Sequence, residues 1–252
     1  MSARLPVAMG ALGAAVAWSG PALAPLLPPL AAALRVPLRM PLDGAVALTF
    51  DDGPHPQGTP AVLEILRAHD AVATFFVVGE QVRRTGGLLD EVLAAGHAVA
   101  VHGDRHRTLL RLTPGAVRAD LDRAEDVLGG RALALHRAPY GIYTLAALGD
   151  VRRRGWQPLL WSRWGHDWRA RATPAGVAGE VTRRLSPGDV LLLHDADDYS
   201  ARDSWRTTVA ALPRVLERIA EAGLRPAPGQ ALSRCSAGST AARTSGARPP
   251  SR

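Results

Sequence analysis

The feature that most constrains this chain is a series of short apolar runs that alternate with helical patterns. Each run is apolar on consecutive residues, which is typical of strands covered on both faces, as in parallel sheets. Between the runs the spacing becomes helical, and residues 209–219 carry one apolar stripe that would cover a sheet. We therefore predict one α/β domain, either a barrel or a doubly wound sheet. The predicted strands span residues 45–50, 72–78, 97–101, 132–138, 156–161, 189–194 and 223–227.

Three of the predicted helices begin at a Thr-Pro pair, at residues 59–60, 113–114 and 173–174. Threonine is a good N-cap, and proline fits the first helical position because its missing N–H has no partner there. We therefore predict that all three threonines cap their helices.

The charge of the chain does not indicate a nucleic-acid partner. The net charge is +7, but all 30 basic residues are arginine and several lie beyond the last acid, Glu221. Together with abundant Ala, Gly and Pro, this composition indicates a coding bias rather than selection for phosphate contacts, so we predict no nucleic-acid binding. The single Cys235 excludes an intrachain disulfide and a multi-cysteine zinc site.

The N-terminal stretch is apolar, with no charged residue in residues 5–34. Residues 7–19 resemble a signal-peptide core, and PALA at 21–24 offers a small-x-small cleavage pattern. We predict a signal or membrane-anchor segment, so that the protein is exported or membrane-associated and faces the cell envelope; the alternative is an apolar segment packed on the domain. The predicted division is a segment at 1–40, a domain at 44–227 and a disordered tail at 233–252.

Polar residue types concentrate where the predicted strands end. In parallel α/β folds the functional groups gather at the carboxyl ends of the strands. A requirement for packing alone would not place catalytic residue types at most of these ends. They are Asp51 and Asp52 after the first strand, His102 and His106 after the third, Arg137 and Tyr140 after the fourth, Asp167 and Trp168 after the fifth, and His194 after the sixth.

His102 and His106 stand four residues apart, a spacing at which two imidazoles on a helical turn can bind one metal ion. A carboxylate from a neighbouring strand end would complete the two-histidine, one-carboxylate set of many catalytic metal sites. Either Asp51 or Asp52 could be that ligand, and the other would then be a general base beside the ion. Taken singly, each residue also fits an ordinary role in a turn or on the surface.

Five motifs in this order together resemble the polysaccharide deacetylase family, also called the NodB-homology domain or carbohydrate esterase family 4. The motifs are TFDDGP, H-x-x-x-H, RAPYG, an Asp-Trp pair and LLLH, and the resemblance covers residues 44–227. It implies an irregular (β/α)7 barrel of the NodB-homology type and a divalent metal, first of all zinc, with cobalt or manganese as alternatives. It also implies a hydrolase that removes N-acetyl groups from an amino-sugar glycan such as chitin or peptidoglycan.

The resemblance separates the roles of the two adjacent aspartates. Asp51 would be the general base for the attacking water, and Arg137 would pair with it. Asp52, His102 and His106 would bind the metal.

The remaining matched residues would complete the reaction. The backbone N–H of Tyr140 would stabilise the oxyanion, and His194 would protonate the departing amine. Asp167 would orient His194 and raise its pKa. Trp168 and Leu192 would form an apolar pocket for the acetyl methyl group.

Some positions depart from the family pattern or allow other functions. Gly103 stands where Ser or Thr is usual, and Trp164 and His166 replace an acid and an arginine of the fourth motif. These changes bear on substrate choice and loop geometry more than on the reaction. One alternative is the same fold hydrolysing a non-sugar amide or ester. Another is a catalytically silent glycan-binding domain, which would have no reason to keep all of the metal, base and acid residues.

Overall fold

The computed structural model describes residues 19–227, which form a parallel eight-stranded sheet with helices packed on its outer face. The strands are β1 (Ala45–Asp51), β2 (Thr74–Val77), β3 (Ala98–Val101), β4 (Leu135–His136), β5 (Gln157–Pro158), β6 (Arg163–Trp164), β7 (Val190–His194) and β8 (Arg225–Pro226). Their order is β5-β4-β3-β2-β1-β7-β6, with β8 beside the start of β1. Within the described residues no pairing joins β5 to β6, so the curled sheet is a barrel open along one seam. The predicted irregular (β/α)7 barrel is confirmed.

The helices cover the outside of this sheet. The predicted apolar stripe of the last helix is confirmed, because Leu212, Leu216 and Ile219 are buried in the core. The α-helices of the described residues are α1 (Pro28–Ala33), α2 (Gly58–Ala68), α3 (Gly79–Thr85), α4 (Leu88–Ala94), α5 (Pro114–Leu128), α6 (Leu145–Arg153), α7 (Pro174–Val181) and α8 (Ser204–Glu221).

All the predicted strands form, but the fourth, fifth and seventh each keep only two residues. Only Gln157 and Pro158 stay in the ladder of β5. The carbonyl groups of Leu159 and Leu160 instead accept hydrogen bonds from the buried Arg137. The sequence analysis also missed β6, a two-residue strand that apolar periodicity cannot reveal.

Alternation along β1 explains how this fold presents catalytic residues. Val46, Leu48 and Phe50 pack between the sheet and its helices, whereas the intervening residues face the inside of the barrel. Asp51 therefore falls on the inner face, directly beside His194 in the parallel register with β7. Short strands with a period of two thus bring polar groups from separate motifs to one edge of the sheet.

The segment before β1 packs along the open seam of the barrel. Ala24, Val36 and Met40 are buried in the inner core cluster. The backbone N–H of Leu160 donates to Pro37 O at 2.9 Å, and the N–H of Met40 donates to Gly188 O at 2.8 Å. Residues of the predicted N-terminal segment thus contribute core contacts to the domain.

Two of the three predicted helix caps are confirmed. Thr113 and Thr173 accept hydrogen bonds from backbone N–H groups in the first turns of α5 and α7. The prediction for Thr59 is wrong, because α2 begins at Gly58, two residues before Pro60, and Thr59 is already helical. Its hydroxyl accepts from the N–H of His55 at 2.7 Å and donates to the buried carboxylate of Asp195. Thr59 therefore joins the loop after β1 to the loop after β7.

Most of the predicted signal-peptide core and the whole predicted tail lie outside the described residues. Within residues 19–227, no helix has both the length and the apolar character required to cross a membrane.

Candidate active site

A cavity of about 240 Å³ lies at the carboxyl ends of β1, β3 and β7. It brings together residues from every motif that the sequence analysis singled out. Two of the predicted residues, Arg137 and Asp167, are fully buried behind it and contact its lining. The lining consists of Asp51, Asp52, His102, His106, Tyr140, Gly141, Trp161, Trp168, Leu192, His194, Tyr199 and Ser200.

Asp52, His102 and His106 place three possible metal-ligand atoms within 4.8 Å of one another. Asp52 Oδ1 lies 3.3 Å from His102 Nε2 and 3.2 Å from His106 Nε2. The Nδ1 of His102 is 2.8 Å from the carbonyl oxygen of Arg137. A carbonyl only accepts, so Nδ1 carries the proton and the lone pair of Nε2 is free to bind a cation.

The donor set fits a divalent cation on physical grounds. Asp52 Oδ1 is buried and has no hydrogen-bond partner among residues 19–227, an arrangement that a bound cation would satisfy. Burial lowers the pKa of His106 to about 4, so its imidazole is neutral. Although burial alone would raise it, the imidazoles of His102 and His106 hold the pKa of Asp52 well below its usual range. The set is one anionic oxygen and two imidazole nitrogens, as a zinc-type site requires.

Asp51 has a different set of neighbours from Asp52. Its Oδ1 lies 2.6 Å from Arg137 Nη1, and Arg137 is held in turn by the hydroxyl of Thr49 at 2.9 Å. The guanidinium carbon also stands 3.9 Å from the ring centroid of Phe76. Arg137 thus holds Asp51 beside the three possible metal ligands and is not itself one of them.

The backbone of Asp52 itself has an unusual conformation. Its φ of 78° lies in the left-handed region, which non-glycine residues adopt seldom and at a cost. This geometry lets two consecutive residues present their carboxylates to the same cavity. The strained backbone thus lies where Asp51 is directed to one set of partners and Asp52 to another.

The partly exposed His194 and the buried Asp167 form a pair on another wall of the cavity. Asp167 Oδ1 accepts from His194 Nδ1 at 3.0 Å, while its Oδ2 accepts from the backbone N–H of His194 at 2.7 Å and from the hydroxyl of Thr208 at 2.7 Å. Burial opposes protonation of the imidazole, but the Asp167 carboxylate outweighs it and raises the pKa of His194 to about 10. At neutral pH the site therefore holds a protonated imidazole, which can donate a proton.

The other predicted pocket residues are also in place. Trp168 packs edge-on against His194, with ring centroids 5.3 Å apart, and Leu192 lines the cavity from β7. Tyr140 lies in the 3-10 turn Pro139–Gly141 with a φ of 60°, and its side chain is 54% exposed at the rim. Gly141 is required there, since a Cβ would lie 2.6 Å from the ring of Trp161.

Sequence reasoning missed two aromatic residues of the cavity. Trp161 falls within a predicted strand, and Tyr199 lies in the loop after β7, where no motif marks it. Tyr199 stacks on His106 with ring centroids 4.4 Å apart. Its hydroxyl donates to Glu80 Oε1 at 2.6 Å and accepts from Gln81 Nε2 at 2.7 Å. The start of α3 thereby holds Tyr199 against a predicted metal ligand.

The structure explains the departure at Gly103. This residue has a φ of 89°, and a Cβ there would stand 3.1 Å from Asp120 Oδ2. That same oxygen accepts from the backbone N–H of Asp104 at 2.8 Å, while Arg107 binds Asp120 Oδ1 at 2.8 Å. A carboxylate from α5 thus braces the loop between the two histidines.

The departures at Trp164 and His166 form a separate hydrogen-bonded group. Trp164 Nε1 donates to His166 Nε2, and His166 Nδ1 then donates to Glu180 Oε2 at 2.8 Å. The ring of His166 lies 5.1 Å from that of Trp168. These residues therefore support the wall that carries Trp168 rather than the metal, base or acid groups.

His55, Asp197 and Asp198 form a second group of possible ligands. Here the Nδ1 of His55 accepts from the backbone N–H of Gly58 at 2.9 Å, so the proton sits on Nε2, 3.3 Å from Asp197 Oδ1. A protonated nitrogen has no lone pair for a metal, and Asp198 is already paired with Arg84 at 2.8 Å. The tautomers distinguish this hydrogen-bonded group from the Asp52 site.

Comparison with known proteins agrees with this geometry. The family model for polysaccharide deacetylase matches residues 40–159. A chitooligosaccharide deacetylase from Azorhizobium caulinodans is 34% identical over 196 residues, which cover 73% of this chain and 93% of that protein. The chain belongs to the polysaccharide deacetylase family. The resemblance inferred from the five motifs is therefore confirmed.

Other members of the polysaccharide deacetylase family are comparably similar. A peptidoglycan-N-acetylglucosamine deacetylase from Bacillus cereus is 33% identical over 190 residues, covering 71% of this chain and 84% of that protein. Among solved structures, a family 4 carbohydrate esterase from Streptomyces lividans in complex with acetate superposes with a TM-score of 0.65 at 28% identity. It covers 73% of this chain and 92% of its own.

Proposed function

We propose that this protein is a hydrolase that removes N-acetyl groups from an amino-sugar glycan or oligosaccharide. One observation carries the proposal. The ion pair of Asp51 and Arg137, the group of possible metal ligands around Asp52, and the protonated imidazole of His194 surround one cavity that also has an apolar wall. Amide hydrolysis needs these three functions together, because it requires a nucleophile, charge stabilisation and a proton for a poor leaving group. Relatives named as deacetylases of chitooligosaccharides and of peptidoglycan N-acetylglucosamine support the glycan as substrate.

We assign Asp52, His102 and His106 to a divalent cation, with zinc as first choice and cobalt or manganese as alternatives. When bound, such an ion supplies Lewis acidity, which polarises the acetyl carbonyl and makes water a better nucleophile at neutral pH. The free lone pair of His102 Nε2 and the unpartnered Asp52 Oδ1 support this assignment.

Residues of the chain supply the proton transfers. Asp51 accepts a proton from the attacking water while Arg137 holds its carboxylate in place. The water oxygen bonds to the acyl carbon, and the Tyr140 N–H helps to stabilise the resulting oxyanion. His194 then donates its proton to the sugar nitrogen as the carbon–nitrogen bond breaks. The products are acetate and a free amine.

The apolar side of the cavity determines which acyl group the site accepts. Trp168 and Leu192 offer a small apolar surface next to His194, which suits the methyl of an acetyl group. A larger acyl chain would have to displace these side chains. The proposal therefore specifies acetyl rather than long-chain amides.

Acetate release from a panel of acetylated glycans tests this function. We expect release from N-acetylglucosamine oligomers or peptidoglycan fragments, and an Asp51→Asn variant should retain metal but lose turnover by about 100- to 10,000-fold. Activity on small amides or esters, with none on any glycan, would replace this proposal with the non-sugar alternative. Tight glycan binding without release of acetate, in metal-loaded protein, would indicate a silent binding domain.

We also propose that the protein is exported or membrane-associated and faces the cell envelope. The support is the uncharged stretch at residues 5–34, within which Leu23, Leu26 and Leu27 are exposed. A fusion of residues 1–40 to alkaline phosphatase, which is active only outside the cytoplasm, tests this directly. An inactive fusion and a wholly cytosolic native protein on fractionation would contradict it.

A further inference from the structure

A second groove adjoins the catalytic cavity and shares two of its residues, His106 and Tyr140. Its volume is about 610 Å³, within the range of roughly 300–1,000 Å³ typical of small-molecule sites. The exposed ring of Tyr140 forms the ridge between the two spaces. The remaining lining residues are Arg107, Thr108, Arg111, Leu112 and Ile142.

The lining of this groove carries positive charge and no carboxylate. Arg107 is committed to Asp120, although its side chain remains 40% exposed. Arg111 is exposed, and within residues 19–227 it makes no ion pair. Arg111 therefore contributes a charge that no neighbouring acid neutralises.

Arg111 differs in this respect from many surface arginines of the chain. Arg83 and Arg123 both bind Asp104, and Arg154 binds Asp122 and Glu125. Most arginines within residues 19–227 of this arginine-rich protein are paired with an acid in this way. An arginine without such a partner at the rim of an active site is a candidate for ligand recognition.

We propose that this groove binds the sugar next to the one being deacetylated, and that Arg111, with Arg107 beside it, selects a sugar that carries a carboxylate. The inference rests on the proposed function, because it takes the occupant of the groove to be the same glycan chain. Continuity through His106 and Tyr140 supports that occupant, since a glycan whose acetyl group enters the catalytic cavity can extend across the Tyr140 ridge into the groove. A guanidinium fork matches the two oxygens of a carboxylate.

The test compares two soluble tetrasaccharides from peptidoglycan glycan strands, one with free carboxylates on alternate sugars and one with the same groups converted to methylamides. Both binding, by titration calorimetry, and acetate release are measured for wild type, Arg111→Gln and a control, Arg67→Gln. Arg67 is exposed at the end of α2, makes no ion pair among the described residues, and loses the same charge when replaced. Neither arginine belongs to the catalytic machinery.

We expect wild type and Arg67→Gln to favour the free carboxylate by about three- to tenfold in Kd and in kcat/KM at low salt. Arg111→Gln should lose this preference while keeping its activity on the methylamide form. Added salt should shrink the preference, because the groove is open to solvent.

Equal affinity of wild type for both tetrasaccharides, or an unchanged preference in Arg111→Gln, would overturn the inference while leaving the deacetylase function intact. Absence of acetate release from every glycan would instead contradict the proposed function. The binding measurement separates these two failures, because it does not depend on turnover.

Discussion

Arg137 Nη1 lies 2.6 Å from Asp51 Oδ1, and both side chains are almost completely buried. Both charged groups lose their hydration in the folded protein, and the burial of each charge is compensated by the other. The guanidinium is satisfied further by Thr49 and by two carbonyl groups at the end of β5. One ion pair thus serves the proposed base and connects β1 to the end of β5 across the inside of the barrel.

Replacing Arg137 by Met should therefore reduce both stability and activity. We expect the free energy of unfolding to fall by about 3–5 kcal/mol, since Asp51 would be left as an uncompensated buried charge. Urea unfolding of metal-free protein measures this loss. The double variant with Asp51→Asn should cost less than the sum of the two single changes, because the partners are coupled. A loss below about 1 kcal/mol for Arg137→Met would contradict this account.

The pair of His194 and Asp167 predicts an unusual titration. With its pKa raised to about 10, His194 gains its proton more readily in the folded protein than in the unfolded chain. Its contribution to stability is therefore fully present below the unfolded value of about 6.5 and disappears as the pH rises through about 10. NMR titration of the imidazole in metal-free protein should find it still protonated at pH 8.

An Asp167→Asn variant supplies the control for this titration. The carboxylate that raises the pKa of His194 is removed while its burial remains, so the imidazole should lose its proton at a much lower pH. The stability advantage of wild type over this variant should shrink between pH 6 and pH 10. An unchanged His194 titration in Asp167→Asn would rule out Asp167 as the cause.

The two groups of possible ligands predict different responses to mutation. His106→Ala should weaken binding of zinc by at least about 100-fold, because loss of even an outer-sphere partner of a metal site costs 10- to 100-fold. His55→Ala is the matched control, since its Nε2 carries a proton and should not bind the ion. Metal content after dialysis and calorimetric titration with zinc measure both. Equal zinc loss in the two variants would show that the ligands have been assigned wrongly.

Much of this fold and site can be predicted from patterns that lie within a single short stretch of the sequence. Consecutive apolar residues predict β1 and β7, and alternation then fixes that Asp51 and His194 share the inner face. The motif residues at the strand ends were all predicted to converge, and the structure brings them to one cavity. Such features depend on a strand and its end, which a single stretch of sequence encodes.

Features that depend on distant contacts could not be predicted in this way. Thr59 has the sequence context of an N-cap, but its hydroxyl donates to Asp195, 136 residues further along the chain. The run of β5 ends early because Arg137 takes its carbonyl groups, and Tyr199 reaches the cavity only because α3 holds it there. In each case a tertiary hydrogen bond overrides the local pattern.

Gly103 offers a test of how the histidine loop is held. Substitution by Ala would place a Cβ on a residue with φ 89°, 3.1 Å from the Asp120 oxygen that accepts from the N–H of Asp104. We expect the free energy of unfolding to fall by about 1–3 kcal/mol from the strained backbone. We also expect weaker zinc binding, because the loop between His102 and His106 must shift.

Gly96→Ala separates the two effects of that substitution. Gly96 has a similar φ of 84° but nothing within 4 Å of an added Cβ, so it carries the backbone strain without the contact. It should lose stability to a similar extent and bind zinc as tightly as wild type. If Gly103→Ala also retained the wild-type affinity for zinc, the carboxylate of Asp120 would not be what positions the metal ligands. Thermal unfolding and zinc titration of the two variants side by side decide the question.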